Sequence, residues 1–266
     1  MSGGRAGGGV HLKRVRIQSE LFPTRDCYPF SLEVLQRTEE LSFPSAVTFF
    51  VGENGCGKST LLEAITRACG IHIWHGDQRT RYGYNPHEGE LHRFVEREWA
   101  NGGATGAYFA AQTFQGFSRI LDEWASSDPG VLEYFGGRSL LAQSHGQSLM
   151  SFFRSRFALR GLYLLDEPET ALSPKTQLEL RELLGGCAEE GRAQFIIATH
   201  SPILLSCPGA TIYSFDYTPV RSVACEETEH YQVYRDFMRE QRDPGGRTGR
   251  DGGPNREGRI AASPVP

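Results

Sequence analysis

Residues Val47–Leu62 read VTFFVGENGCGKSTLL. A short apolar run enters Gly52, Gly55 and Gly57, then Lys58, Ser59 and Thr60, then a helical pattern opening on Leu61 and Leu62. That order of strand, glycine-rich turn and helix restricts the fold more than any other stretch of the chain. Glycines let successive backbone N–H groups turn inward around an anion, and the following helix directs the positive end of its dipole at the same point. The spacing G-x-x-x-x-G-K-S is that of a loop that cradles a triphosphate, so Gly52, Glu53, Asn54, Gly55, Cys56, Gly57, Lys58, Ser59 and Thr60 are the expected nucleotide-binding residues. Lys58 is expected at the β- and γ-phosphates and the Ser59 hydroxyl on Mg²⁺. Cys56 reads as a small residue filling its place in the loop, with an oxidisable thiol as the lesser alternative.

At 266 residues the chain suits one large α/β domain with insertions. A net charge of −4 gives no global drive toward nucleic acid or an anionic membrane. No apolar run approaches the ~18 residues of a membrane-spanning helix, and MSGGRAGGGV at the start lacks the apolar centre of a signal peptide. The expectation is a cytoplasmic chain with no intrinsic membrane segment. The six cysteines include no C-x-x-C pair, which argues against a zinc ribbon or a disulfide framework.

In chain order, residues 1–9 are glycine-rich and expected to be disordered. VHLKRVRIQSE from Val10 alternates apolar and charged residues, as a half-buried edge strand does, and Phe30–Leu35 alternates again. An antiparallel layer ahead of the phosphate loop is the economical reading of those two segments. Tyr28 or Phe30 could stack on a base through a flat π-face, although packing in the core is the simpler use of either. Residues 69–105 are polar and aromatic and read as a surface insertion suited to a partner or substrate; His72, His75, His87 and His92 lack the cysteine or carboxylate company of a metal site. Tyr108–Phe114 reads as a buried strand ending at Gln112, and Ser118–Ser126 as a short amphipathic helix. Ser144 is the expected N-cap of the next helix. LYLLDEPE is a central strand capped by two acids, Pro174–Leu184 a helix closed by Gly185-Gly186, and Gln194–Ala198 a second buried strand ending at Thr199-His200-Ser201. Ala210–Phe215 and Arg221–Ala224 are two short strands, Glu226–Arg242 an amphipathic helix, and 243–266 a Gly/Pro-rich tail expected to be disordered. Residues 10–242 are therefore read as one domain.

Strands alternating with helices imply a parallel sheet whose carboxyl ends form one ligand crevice. The sequence delivers Gly52–Thr60, Asp166, Glu167 and His200 to that edge. Asp166, ending an apolar strand, is where a Mg²⁺ ligand belongs; Glu167, one residue on, is placed to accept a proton from or orient an attacking water.

Gly52–Thr60, Ser144–Gln147, LLDEPETALS at 164–173 and ATHSP at 198–202 together resemble the phosphate loop, signature motif, second nucleotide motif and switch histidine of ABC-type ATPases. The likeness covers most of residues 10–240 in order. It is greatest to small bacterial stand-alone ATPases of the AAA type, since no coiled-coil arm fits between Gln112 and Ser144. The resemblance implies a P-loop NTPase fold: a mainly parallel sheet flanked by helices, with an antiparallel β layer near the N-terminus. It implies that Gln112 contacts Mg²⁺ and the attacking water. It also implies that Ser144 and Gly146 bind the γ-phosphate of ATP held by a second subunit in an ATP-dependent head-to-tail homodimer, and that His200 contacts the γ-phosphate. An imidazole, titrating near neutrality, suits the last role.

Three residues depart from the family pattern: His145 for the first signature glycine, Gln143 for its leading leucine, and Ser173 for an aspartate. They bear on the dimer clamp and on coupling between the two sites, while Lys58, Asp166 and Glu167 are retained. The implied activity is Mg²⁺-dependent ATP hydrolysis driving an unidentified protein partner or DNA-related process. The alternatives are a nucleotide-gated DNA- or protein-binding module with little hydrolysis, and the ATP-binding subunit of a transporter. The acidic run Glu226-Glu227-Thr228-Glu229-His230 either begins a solvent-facing helix or contacts a partner.

Overall fold

The computed structural model describes residues 9–74, 85–135 and 137–242. Residues 1–8, the expected tail from 243 onward, and His75 with its neighbours to 84 lie outside the described residues. Gly9, read as part of a disordered start, is buried against the backbone of Gly191.

The N-terminal layer is a three-stranded antiparallel sheet. Its first strand, β1 (Leu12–Ile17), alternates buried and exposed residues as read, but it is the middle strand rather than an edge. A short segment comes next in which Phe30–Leu35 is not extended: Phe30, Val34 and Leu35 are all buried, an i, i+4, i+5 spacing that a helix satisfies, and α1 spans Glu33–Arg37. Then come β2 (Glu40–Ser42), the phosphate-loop strand β3 (Val47–Val51) and α2 (Lys58–Ala68). β2 pairs with one side of β1, placing Leu41 opposite Val15. The other side of β1 is taken by β4 (Val95–Trp99), with Arg97 opposite Val15. The charges along β1 thus belong to a solvent face: Arg14 bonds Glu98 on one neighbour and Glu40 on the other.

That pairing corrects the reading of 69–105 as a surface insertion. Ile71, Ile73, Leu91 and Val95 are buried, and β4 completes the antiparallel sheet. Loose periodicity concealed it because β4 has charged residues on its outer face.

β5 (Gly106–Ala110) stops before Gln112, and α3 (Ala111–Ser127) begins at once. Phe114, Ser118 and Leu121 are buried at helical spacing, so period 3.6 prevails where an extended strand was expected. α4 (His145–Phe157) leads into β6 (Gly161–Asp166). α5 (Pro174–Glu189) runs through Gly185-Gly186 instead of ending there. Leu180, Leu184 and Cys187 are buried on one face, and that burial outweighs a glycine cost of roughly 1 kcal/mol each. β7 (Ala193–Ala198), α6 (Pro202–Leu205), β8 (Thr211–Ser214), β9 (Arg221–Val223) and α7 (Glu229–Arg242) complete the described residues. One 3₁₀ turn, Cys225–Glu227, precedes α7.

The main sheet runs β5-β6-β7-β3-β8-β9, parallel throughout except for the antiparallel β8–β9 pair. Alternate residues of its buried strands feed two cores. Phe49, Val51, Leu165 and Ile197 pack with α4 and α5 on one face; Phe50, Leu164, Ile196 and Ala198 pack with α2 and the antiparallel layer on the other. The chemistry is therefore concentrated at the carboxyl edge.

Candidate functional site

Register fixes that edge. Phe50 lies beside Ala198, Asp166 beside Ala198 from the other side, Ala110 beside Asp166, and Val51 beside Ser214. The residues just beyond these positions, Gly52, Glu167, Thr199, Gln112 and Phe215, emerge along one line.

The loop after β3 holds Gly52, Gly55 and Gly57 at φ of 141°, 81° and 105°. A Cβ at Gly52 would meet Asp216 Oδ1 at 2.9 Å, so glycine is needed there for conformation and for space. Gly57 caps α2 in the left-handed region, and the first turn of that helix leaves backbone N–H groups without intrahelical partners. Lys58 is buried, its Nζ donating to the Gly52 carbonyl at 2.6 Å and the Glu53 carbonyl at 2.8 Å. Cys56 Sγ is 3.7 Å from that ammonium, yet burial pushes its thiol up, which favours the inert reading.

Ser59 Oγ donates to Asp166 Oδ1 at 2.8 Å, joining two residues 107 positions apart in the sequence. Burial drives the Asp166 carboxyl up to about 6; the Ser59 bond opposes this, and the neighbouring Glu167 adds to it. Two hard oxygen donors side by side, one of them an acid held at high cost without a cation, fit Mg²⁺. Tyr108, on the adjacent strand, is pushed up by burial and by the same carboxylate.

Glu167 donates its backbone N–H to the Ala198 carbonyl at 2.9 Å and then turns at φ 47°, ψ 51°. It is the one non-glycine residue at positive φ among those described. The turn lifts its carboxylate off the sheet to within 3.7 Å of His200 Nε2. His200 is held twice: its backbone N–H donates to Glu169 Oε1 at 2.7 Å, and its ring Nδ1 lies 2.7 Å from His230 Nε2 on α7. Burial, Lys58 and His230 all lower the His200 pKa, so its ring is neutral at pH 7.

The edge thus brings Lys58, Ser59, Asp166, Glu167 and His200 together. Gln112 sits exposed in the first turn of α3, two residues beyond the β5 position beside Asp166. Ser144 and Gly146 lie elsewhere, at the start of α4. Gln147 Oε1 accepts the Ser144 N–H at 3.3 Å, half of a capping box. These residues line a groove of about 750 Å³ with Arg138, Arg154, Ser173 and Lys175, and no phosphate-loop residue borders it. The departures from the family pattern each have a local account. His145 packs edge-on against Phe114, Gln143 bonds the Ser139 carbonyl and the Ser151 hydroxyl, and Ser173 caps α5 by accepting the Thr176 N–H, as an aspartate would. Of the two aromatics, Phe30 is fully buried, whereas Tyr28 is exposed with its hydroxyl 3.0 Å from Thr60 Oγ1.

Two residues escaped sequence reading. Asp216 Oδ1 accepts the Glu53 N–H at 2.9 Å and anchors the loop; an acid just past a strand end was the available signal. His230, inside the acidic run, had no signal, because its partner is 30 residues away. Of the histidines in 69–105, His87 packs on Phe30 and His92 bonds the Gly89 carbonyl; among the described residues no group of three metal-binding side chains is found.

A family model described as "AAA domain" matches residues 29–103, and one described as "AAA domain, putative AbiEii toxin, Type IV TA system" matches 130–206. The iron(3+)-hydroxamate import ATP-binding protein FhuC of Bacillus subtilis is 28% identical, over 60% of this chain and 65% of its own. The hemin import ATP-binding protein HmuV of Rhodopseudomonas palustris is 27% identical, over 60% and 67%. The chain spans about two thirds of the length of these curated relatives, and slightly less for FhuC. A solved chain assigned to a metal-chelate type ABC transporter, in an inward-facing conformation, superposes with a TM-score of 0.50, covering 84% of this chain and 88% of that one at 17% identity. That likeness establishes the fold.

Proposed function

The chain is a P-loop ATPase of the ABC type, and from that premise we propose that residues 10–242 bind ATP with Mg²⁺ and hydrolyse its γ-phosphate. The observation that carries the reading is the 2.8 Å bond between Ser59 and Asp166 beside the buried ammonium of Lys58. The loop amides and Lys58 hold the β- and γ-phosphates, Ser59 and Asp166 hold the metal, and Gln112, in the first turn of α3, is assigned to it as a further ligand. Mg²⁺ bound there supplies charge neutralisation to the phosphates. Glu167, raised off the sheet by its left-handed backbone, accepts or orients the proton of the attacking water, and His200 donates to the γ-phosphate. Tyr28, exposed next to Thr60, offers the adenine a face.

The separation of Ser144 and Gly146 from the phosphate loop supports a site completed by a second copy, arranged head-to-tail, whose α4 N-terminus meets the γ-phosphate. The unit so formed is a stand-alone ATPase that acts on a protein or on DNA. The names of FhuC and HmuV favour a second reading, the ATP-binding subunit of an importer; recovery of a membrane permease with a nucleotide-trapped variant from the native host decides for it.

Lys58→Ala tests the core of the proposal. Loss of charged hydrogen bonds worth about 1.5–3 kcal/mol lowers ATP affinity roughly 10- to 100-fold by calorimetry. Unchanged affinity means the nucleotide binds elsewhere.

A further inference from the structure

His230 lies outside every nucleotide motif of the chain, yet its Nε2 is 2.7 Å from Nδ1 of His200, with ring centroids 4.9 Å apart. Both outer nitrogens, His200 Nε2 and His230 Nδ1, are buried with no hydrogen-bond partner among the described residues. An imidazole pair at this distance shares one proton between the facing nitrogens, and its placement decides what the outer nitrogens can do.

If His200 Nδ1 carried the proton, its Nε2 would turn a bare lone pair toward the Glu167 carboxylate 3.7 Å away, two acceptors facing each other. If His230 Nε2 carries it, His200 Nδ1 accepts and His200 Nε2 must bear the hydrogen. That hydrogen then faces Glu167 and the phosphate side of the site, where a donor is required. The leftover group is a lone pair at His230 Nδ1, which costs less to bury than an unpaired N–H.

We propose that His230 is a positioning residue that donates from Nε2 to His200 Nδ1 and so fixes His200 as a neutral Nε2–H donor toward the γ-phosphate. The inference rests on the ATPase reading above and adds to it a residue carried by α7. It also gives the acidic run at 226–230 its use. Thr228 and Glu227 set the start of α7: the Thr228 hydroxyl bonds the Cys225 carbonyl and accepts the Tyr231 N–H, while Glu227 Oε2 accepts the Ala224 N–H. These bonds orient the first turn of α7 and place His230 against His200.

The test compares His230→Leu, which removes the donor, with His230→Gln, whose amide N–H restores one. In His230→Leu, ATP turnover is expected to fall about tenfold or more while KM stays within about twofold. His230→Gln is expected to recover most of the loss. In a His200→Ala background, His230→Leu is expected to add nothing further. Equal losses with and without His200, or a Gln variant as slow as Leu, would mean that His230 only supports the fold, and the proposal falls. A second readout is independent of hydrolysis: ¹⁵N chemical shifts of the nucleotide-free protein should show His200 as the Nε2–H tautomer in the wild type and as a mixture in His230→Leu. Wild-type shifts of the Nδ1–H form would overturn the assignment. A correct tautomer in a protein that hydrolyses no ATP would leave His230 in place and remove the ATPase reading instead.

Discussion

Glu167→Gln is expected to reduce ATP turnover at least a hundredfold, the order of magnitude a positioned general base contributes. The substitution keeps shape and hydrogen bonding but cannot accept a proton. It also keeps the backbone: glutamine has no more and no less difficulty than glutamate at φ 47°, so thermal stability should remain within about 0.5 kcal/mol of wild type. With hydrolysis blocked and binding intact, ATP should accumulate on a species of doubled mass, visible by light scattering after gel filtration with ATP and Mg²⁺. That second observation addresses the proposed head-to-tail dimer, in which Ser144 and Gly146, lining a groove apart from the phosphate loop, would meet the partner's nucleotide. Equal phosphate release by the two proteins would remove Glu167 from its assigned role. Normal trapping of ATP on a monomer would leave Glu167 in place and refute the second copy.

Asp166→Asn should abolish Mg²⁺-dependent turnover and, in the absence of nucleotide and metal, stabilise the protein. The sign comes from the direction of the shift. Asp166 has its folded-state pKa raised from 3.8 to about 6, so between those values the native state binds more proton than the unfolded chain. The group therefore leaves stability untouched at low pH and costs progressively more as pH rises from about 4 through about 6. Above that window the penalty is complete, and at 1.36 kcal/mol per pH unit it approaches about 3 kcal/mol. Asparagine carries no such penalty and can still accept from Ser59. Melts at pH 5 and pH 8 should show the variant gaining on the wild type as pH rises, and Mg²⁺ with nucleotide should reverse the order. A variant less stable than wild type at pH 8 would show that the carboxylate is not strained by burial.

Much of this arrangement was legible in the sequence because the decisive residues sit at ends of apolar runs. Val47–Val51, Gly161–Asp166 and Ala193–Ala198 each announce a strand buried on both faces, and in a parallel sheet the residues just past such strands lie on one edge. Lys58, Asp166, Glu167 and His200 could thus be placed together from order alone. Where local pattern was ambiguous the reading failed. Residues 111–114 follow directly on the apolar stretch 107–110, and the burial of Ser118 and Leu121 one and two turns beyond Phe114 is what marks them as helix. The strand Val95–Trp99 was lost in a polar segment because its burial depends on pairing with Leu12–Ile17, a long-range partner that no window contains. Contacts across the chain were equally invisible: Asp216 on the phosphate loop and His230 on His200 join residues with no sequence relation. The apolar stripe of α7 was legible and its exposure was not, since Val233, Tyr234, Phe237 and Met238 all stand more than half open to solvent.

Asp216 has a consequence for where the working unit ends. Every recognisable motif is complete by Pro202, and the second family match closes at residue 206. Yet the amide of Glu53, at the mouth of the phosphate loop, is tied to a carboxylate that arrives only after β8 has been laid beside β3. During synthesis the nucleotide cradle thus remains unclamped until the ribosome has moved well past the last residue that motif logic would call essential. The loop that opens the site in sequence is among the last parts of it to be fastened.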